Sequence, residues 1–173
     1  MSSRALVPDH ISRIVPYVPG RPADVLQSEL GVDTLVRLDS NENPLGPSPR
    51  AVEAIQRAAV DLHRYPDGGG YHLKRALSAH FGVPADGLVL GNGSNELVEL
   101  LIQAFCQSDG EVLTSAGSFI AYKLAAAVRG VTLREVPLGL DRGYDMDALA
   151  AAVTPSTRLV FIANPNNPTG THI

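Results

Sequence analysis

From residue 87 to residue 164 short apolar runs alternate with amphipathic helical stretches, and this alternation admits few folds. "LVLG" precedes "SNELVELLIQAFC", "EVLTS" precedes "FIAYKLAAAVRG", "VTLREV" precedes "DMDALAAAV", and "RLVFIAN" closes the series. The short runs have strand length, and the longer ones repeat apolar residues three and four apart. Strands alternating with helices imply βαβ units, hence a parallel sheet with helices on both faces. The predicted class is α/β.

Composition supports one hydrophobic core and excludes several partners. The chain has 173 residues, 45% of them apolar, which suffices for a packed domain. Net charge is −4, and the basic residues are scattered rather than clustered. That argues against nucleic acid and against an anionic membrane surface. Tryptophan is absent, so an aromatic platform for single-stranded nucleic acid is not expected. The single cysteine, Cys106, lies in an apolar helical stretch and reads as a core thiol. No apolar run is long enough to span a bilayer, and "MSSRALVPDHIS" lacks the apolar centre of a signal peptide. The expected compartment is the cytoplasm.

The first part of the chain is less regular. Residues 1–21 read as an arm, because "IVPYVPGRP" is rich in proline and extended. "ADVLQSELG" is a short predicted helix stopped by Gly31. "LVRLD" is a predicted strand that leads into a loop. Ser48 is the predicted cap of a helix with Pro49 at its first position. "YPDGGG" is a break, and "YHLKRALSAHFG" is a further amphipathic helix.

Ligands of open α/β sheets bind beyond the carboxyl ends of the strands. Here those positions carry "GNGSNE", "SAGSF" and "NPNNPTG". The first joins a strand to a helix and offers glycines and free helix N–H groups, a natural phosphate seat. A dinucleotide fingerprint fits less well: Gly91 and Gly93 match its first two glycines, but Glu96 stands at the third. The second segment places Phe119 where an aromatic ring could stack on a planar ligand. The third ends a strand with two X-Pro steps around Asn166 and Asn167, which hold an amide in a fixed place. His10, His63, His72, His80 and His172 show no ligand spacing with Cys or acidic residues, so no metal is expected.

Taken in order, "PYVPGRP", "LDSNENPLGPSP", "RYPDGGGYHLKRALSAHFGV", "GNGSNELVELLIQAF", "GSFIAY" and "NPNNPTG" resemble the class I/II aminotransferases of fold type I. Within that family the series is most similar to the histidinol-phosphate aminotransferases. The resemblance implies a pyridoxal 5′-phosphate cofactor, a small-molecule amino donor, a 2-oxo acid acceptor and a homodimer. Histidinol phosphate with 2-oxoglutarate is the implied pair. A threonine-phosphate decarboxylase, an aromatic aminotransferase and a non-catalytic fragment are the alternatives. The resemblance further implies that Ser94 and Asn95 hold the cofactor phosphate through backbone N–H groups. Phe119 would stack on the pyridine ring and Asn167 would bond its phenolic oxygen. Tyr65 would reach the cofactor phosphate of a partner subunit, and Tyr17 would lie near the substrate phosphate. The chain departs from the family at Ala116 and Gly117, where relatives commonly carry proline.

The resemblance also sets domain expectations. Residues 1–47 would be an arm and small-domain-side segment, and residues 48–173 the first part of the cofactor-binding large domain. The Schiff-base lysine, the aspartate at the pyridinium nitrogen and a carboxylate-binding arginine would all follow "NNPTG" and lie outside these 173 residues. Lys74 and Lys123 are the only lysines, and both read as solvated helix residues. No catalytic residue is therefore assigned, and the chain alone is expected to be inactive. "LVLG" is expected to lack a sheet neighbour.

Overall fold

A computed structural model describes residues 6–18, 20–107 and 109–173. In chain order the elements are α1 (Asp9–Ser12), α2 (Ala23–Leu30), α3 (Pro49–Ala58), α4 (Tyr71–Phe81), α5 (Gly93–Phe105), β1 (Glu111–Ser115), α6 (Ile120–Arg129), β2 (Thr132–Val136), α7 (Met146–Ala151) and β3 (Thr157–Val160). They group into two compact units. One is Val89–Ile173 together with the described residues up to Val15, and the other is Pro16–Leu88.

The sheet unit is the predicted α/β fold. Three parallel strands stand in the order β2-β1-β3. β1 is the middle strand, so its side chains are buried on both faces. Alternation splits them. Val112 joins Val98, Ile102 and Cys106 of the α5 side and Tyr122, Ala125 and Ala126 of α6. Leu113, one residue on, faces Val136, Tyr144 and Leu149 on the α7 side. Helices thus cover both faces, and Cys106 is a buried core thiol whose pKa is pushed up by that burial.

The amino ends of the strands are tied by one carboxylate. Glu111 is buried and accepts from Arg134 of β2 at 2.8 Å and from Thr157 of β3 at 2.9 Å. The Arg134 hydrogen bond holds its carboxyl below the usual glutamate range. A single side chain therefore staples all three strands.

Some local expectations need correction. "LVLG" forms no strand: Leu88 is extended, but no other strand supplies ladder hydrogen bonds to this segment among the described residues. The same holds for "LVRLD", where Arg37 and Asp39 pair on the surface instead. β3 stops at Val160 rather than continuing to Asn164, although the Phe161 N–H still donates to Leu113 O at 2.9 Å. Ser48 does precede α3 with Pro49 at its start, but its side chain makes no capping bond. A short helix, α1, lies within the predicted arm and packs on α6.

The Pro16–Leu88 unit holds α2, α3 and α4. Gly31 and Gly82 end α2 and α4 in left-handed conformations at φ of 65° and 68°, which side chains with a Cβ resist. In the "YPDGGG" break Asp67 accepts from the N–H groups of Gly69 and Tyr71, and those two bonds lower its pKa. None of these three helices buries a residue.

Candidate functional site

The strand order locates the site. From β1 the chain passes through α6 to β2 on one side, then returns through α7 to β3 on the other. The carboxyl end of β1, beside β3, is therefore a topological switch point, where adjacent connections leave in opposite directions and open a crevice. α5 leads into β1, so its first turn lies at that same edge. Three of the sequence-predicted segments meet here.

The first is the start of α5. Asn92 is the cap residue, so Ser94 and Asn95 fall in the first turn and both are exposed. Glu96 turns back and accepts from the Asn92 backbone N–H at 2.5 Å and from its side chain at 3.1 Å. Ser94 and Asn95 N–H groups keep no acceptor among the described residues. A Cβ at Gly91 would sit 3.1 Å from Glu96 Oε2 and from the Leu97 side chain, so a side chain there would press on both. Asn95 lines a small cavity of about 100 Å³ with Ala121 of α6. That cavity lies between α5 and α6.

The second is residues 116–119. Phe119 is the cap residue of α6 and is half-buried. Its ring stands perpendicular to Tyr122 at 5.6 Å, and Tyr122 in turn stacks on Phe161 at 4.6 Å. The core reading and the ligand reading of Phe119 are thus compatible: the ring leans on the core and still meets solvent. Beside it lies a cavity of about 160 Å³ reached by Ser118, Tyr122, Lys123 and Glu135. Lys123 is paired with Glu135 at 3.2 Å.

The third is the loop after β3. Asn166 and Asn167 adjoin in sequence but differ in use. Asn166 is buried at 3% exposure. Its Nδ2 donates to Thr169 Oγ1 at 2.8 Å and to Gly117 O at 3.4 Å, and its Oδ1 accepts from the Tyr144 hydroxyl at 3.1 Å. Its backbone closes the loop as well, donating to Thr171 O and accepting from Gly170 N–H. Asn167 is only half-buried, and its side chain has no partner among the described residues. The loop spends one amide on its own shape and leaves the other available.

Ser94, Asn95, Phe119 and Asn167 therefore stand on one edge of one unit. Tyr17 and Tyr65 belong to the Pro16–Leu88 unit, where they are 62% and 101% exposed. Two residues were missed by sequence reasoning, Tyr144 and Ser118. Tyr144 touches Ser118, Ala163 and Asn166, each about twenty residues away, so no local pattern announces it. Among the described residues no cluster of three His, Cys, Asp or Glu side chains could hold a metal, and no helix is long and apolar enough to cross a membrane.

Comparison with known proteins adds the following. Residues 33–173 match the family model for aminotransferase class I and II. A protein of Anaeromyxobacter sp. (strain Fw109-5) described as histidinol-phosphate aminotransferase is 51% identical over 166 residues, covering 96% of this chain and 46% of that protein. One of Moorella thermoacetica with the same description is 48% identical, covering 93% and 42%. The crystal structure of histidinol-phosphate aminotransferase from Sinorhizobium meliloti in complex with pyridoxal-5′-phosphate superposes with a TM-score of 0.81 at 30% identity, covering 96% of this chain and 44% of that one. The chain spans less than half the length of the curated relatives it matches.

Proposed function

This chain belongs to the class I and II aminotransferase family, and on that premise we propose that the protein carrying it binds pyridoxal 5′-phosphate at the β1/β3 switch point and moves an amino group from histidinol phosphate to 2-oxoglutarate in histidine biosynthesis. The observation that carries the proposal is the divided use of the two asparagines. Asn166 is consumed in holding the loop, while Asn167 and the first-turn N–H groups of α5 have no partner among the described residues at one edge. That edge fits the cofactor: a dianionic phosphate suits free N–H groups at a helix start, a flat ring suits Phe119, and a phenolic oxygen suits an amide donor. The family relatives, 51% and 48% identical, support the choice of substrate.

When bound, the cofactor supplies an electron sink and a carrier for the amino group. The chain's own residues hold it. Ser94 and Asn95 N–H groups seat the phosphate. The Phe119 ring covers one face of the pyridine and keeps water off it. Asn167 donates to the phenolic oxygen and stabilises negative charge there. Tyr65 is proposed to reach the phosphate of a partner subunit's cofactor in a homodimer, and Tyr17 to meet the substrate phosphate. Residues 48–173 are proposed as the first part of the cofactor-binding large domain, after an arm and small-domain-side segment at 1–47. The cytoplasm is the proposed compartment, in keeping with a single buried thiol.

We assign the Schiff-base role to neither Lys74 nor Lys123. Lys74 lies within α4 and Lys123 within α6, where it is engaged with Glu135. The 173 residues alone are thus proposed not to transaminate. A coupled assay with histidinol phosphate and 2-oxoglutarate tests both statements. Turnover is expected from the complete protein and not from the 173-residue chain. No turnover by the former overturns the substrate assignment, and turnover by the latter overturns the proposed inactivity. Asn167→Ala in the complete protein is expected to weaken cofactor binding about tenfold, as for a charge-assisted hydrogen bond lost.

A further inference from the structure

The two segments that carry Phe119 and Asn167 meet at one hydroxyl. Tyr144 Oη is 2.7 Å from Ser118 Oγ, 3.1 Å from Asn166 Oδ1 and 2.9 Å from the Ala163 backbone nitrogen. A tyrosine hydroxyl has one proton, so the direction of each bond can be worked out. Asn166 Nδ2 faces Gly117 O and Thr169 Oγ1, which fixes the amide and makes Oδ1 the acceptor from Tyr144. Ser118 and the Ala163 N–H must then donate to Tyr144. At the far end Thr171 donates to Arg142 O at 3.1 Å, so Thr169 donates to Thr171. Every proton runs one way: Ser118 to Tyr144 to Asn166 to Thr169 to Thr171 to a backbone carbonyl. Such a chain is cooperative, and its central members are buried, Tyr144 at 9% and Asn166 at 3% exposure.

The backbone gives the ring-stacking segment little stiffness of its own. Residues 116–118 contain no proline, and Gly117 sits at φ +76°. Asn166, in the loop after β3, and Tyr144, just before α7, grip this segment through Gly117 O and Ser118 Oγ. We infer that Tyr144 is a positioning residue that sets Asn167 and Phe119 at a fixed spacing across the switch point, and so controls the basicity of the bound cofactor. The inference rests on the cofactor site proposed above. Its sign follows from electrostatics. Asn167 stabilises the phenolic oxygen as an anion. When Asn167 is displaced, that oxygen holds the neighbouring proton more tightly and the titration midpoint rises.

The test is Tyr144→Phe in the complete protein loaded with pyridoxal phosphate. The substitution keeps the ring against Leu113, Val136 and Leu149 and deletes only the hydroxyl. The pH midpoint of the bound cofactor's visible absorbance is expected to rise by about half a unit or more, and the Kd for pyridoxal phosphate by about five- to tenfold. Leu149→Ala weakens the same core without touching the hydroxyl, and its midpoint is expected to stay at the parent value. An unchanged midpoint in Tyr144→Phe, or an equal shift in Leu149→Ala, overturns the inference and leaves the cofactor site standing. If Tyr144→Phe does not fold, Ser118→Ala removes the first donor of the chain; a smaller rise is expected, and none overturns the inference. If the unsubstituted protein takes up no pyridoxal phosphate, the site and the inference fall together.

Discussion

Two stretches of this chain carry the same kind of helical pattern and meet different fates. In the sheet unit, Ile102 of α5 is fully buried. In the Pro16–Leu88 unit, Ile55 of α3 occupies an equally regular apolar position and is 69% exposed. The difference is the surface available. α5 and α6 lie on a sheet whose middle strand offers Val112 to them and Leu113 to the opposite side. Among the described residues, α2, α3 and α4 have no sheet within their own unit. Periodicity names the apolar face of a helix; what covers that face is a separate fact.

The largest test of this contrast is a pair of truncations. Ile102→Ala is expected to cost about 2–5 kcal/mol, as for other fully buried aliphatic residues. Ile55→Ala should stay within about 0.5 kcal/mol. Urea unfolding of both variants decides it. An equal cost at Ile55 would mean that α3's face is covered in the protein, and the contrast would disappear.

A smaller effect is expected at Glu111, the staple of the three strands. Glu111→Gln keeps the shape and removes the charge that Arg134 meets, and a loss of about 1–3 kcal/mol is expected, toward the low end because Arg134 is half exposed. The same group gives the sheet unit a pH dependence. Its pKa is lowered on folding, so its contribution is complete above the ordinary glutamate value of about 4.3 and fades as pH falls through the lowered folded value. Thermal melts between neutral and acid pH should show this loss in the parent and a flatter profile in Glu111→Gln. Matching profiles would remove Glu111 from the account.

The smallest effect belongs to the helical unit. Asp67 orders the start of α4 by accepting from Gly69 and Tyr71 N–H groups. In Asp67→Ala, amide exchange at Tyr71 should quicken while β1 amides keep their protection. Slowed or unchanged exchange at Tyr71 would show that the turn holds without the carboxylate.

The candidate site was partly legible in the sequence. Glycines before a helix, an aromatic at a helix start and prolines after a strand are local signals, and they pointed to "GNGSNE", Phe119 and the Asn166–Asn167 pair; the resemblance to the family singled out Ser94, Asn95 and Asn167. Tyr144 carries no such signal, because its partners are brought to it only when β3 pairs with β1 and α7 crosses the opposite face. "LVLG" and "LVRLD" misled for the complementary reason. Their composition suits a strand, but a strand exists only with a neighbour.

The sequence by itself determined the class of fold and the helix faces, and it pointed to the edge where a ligand is proposed to sit, because alternation, glycine and proline act over a few residues. Tertiary structure alone decided which asparagine the loop consumes and which it leaves free. It also made Tyr144 the joint between the two halves of the site. Those outcomes depend on bonds between residues some twenty to fifty positions apart, and only the sheet order β2-β1-β3 brings such residues within reach.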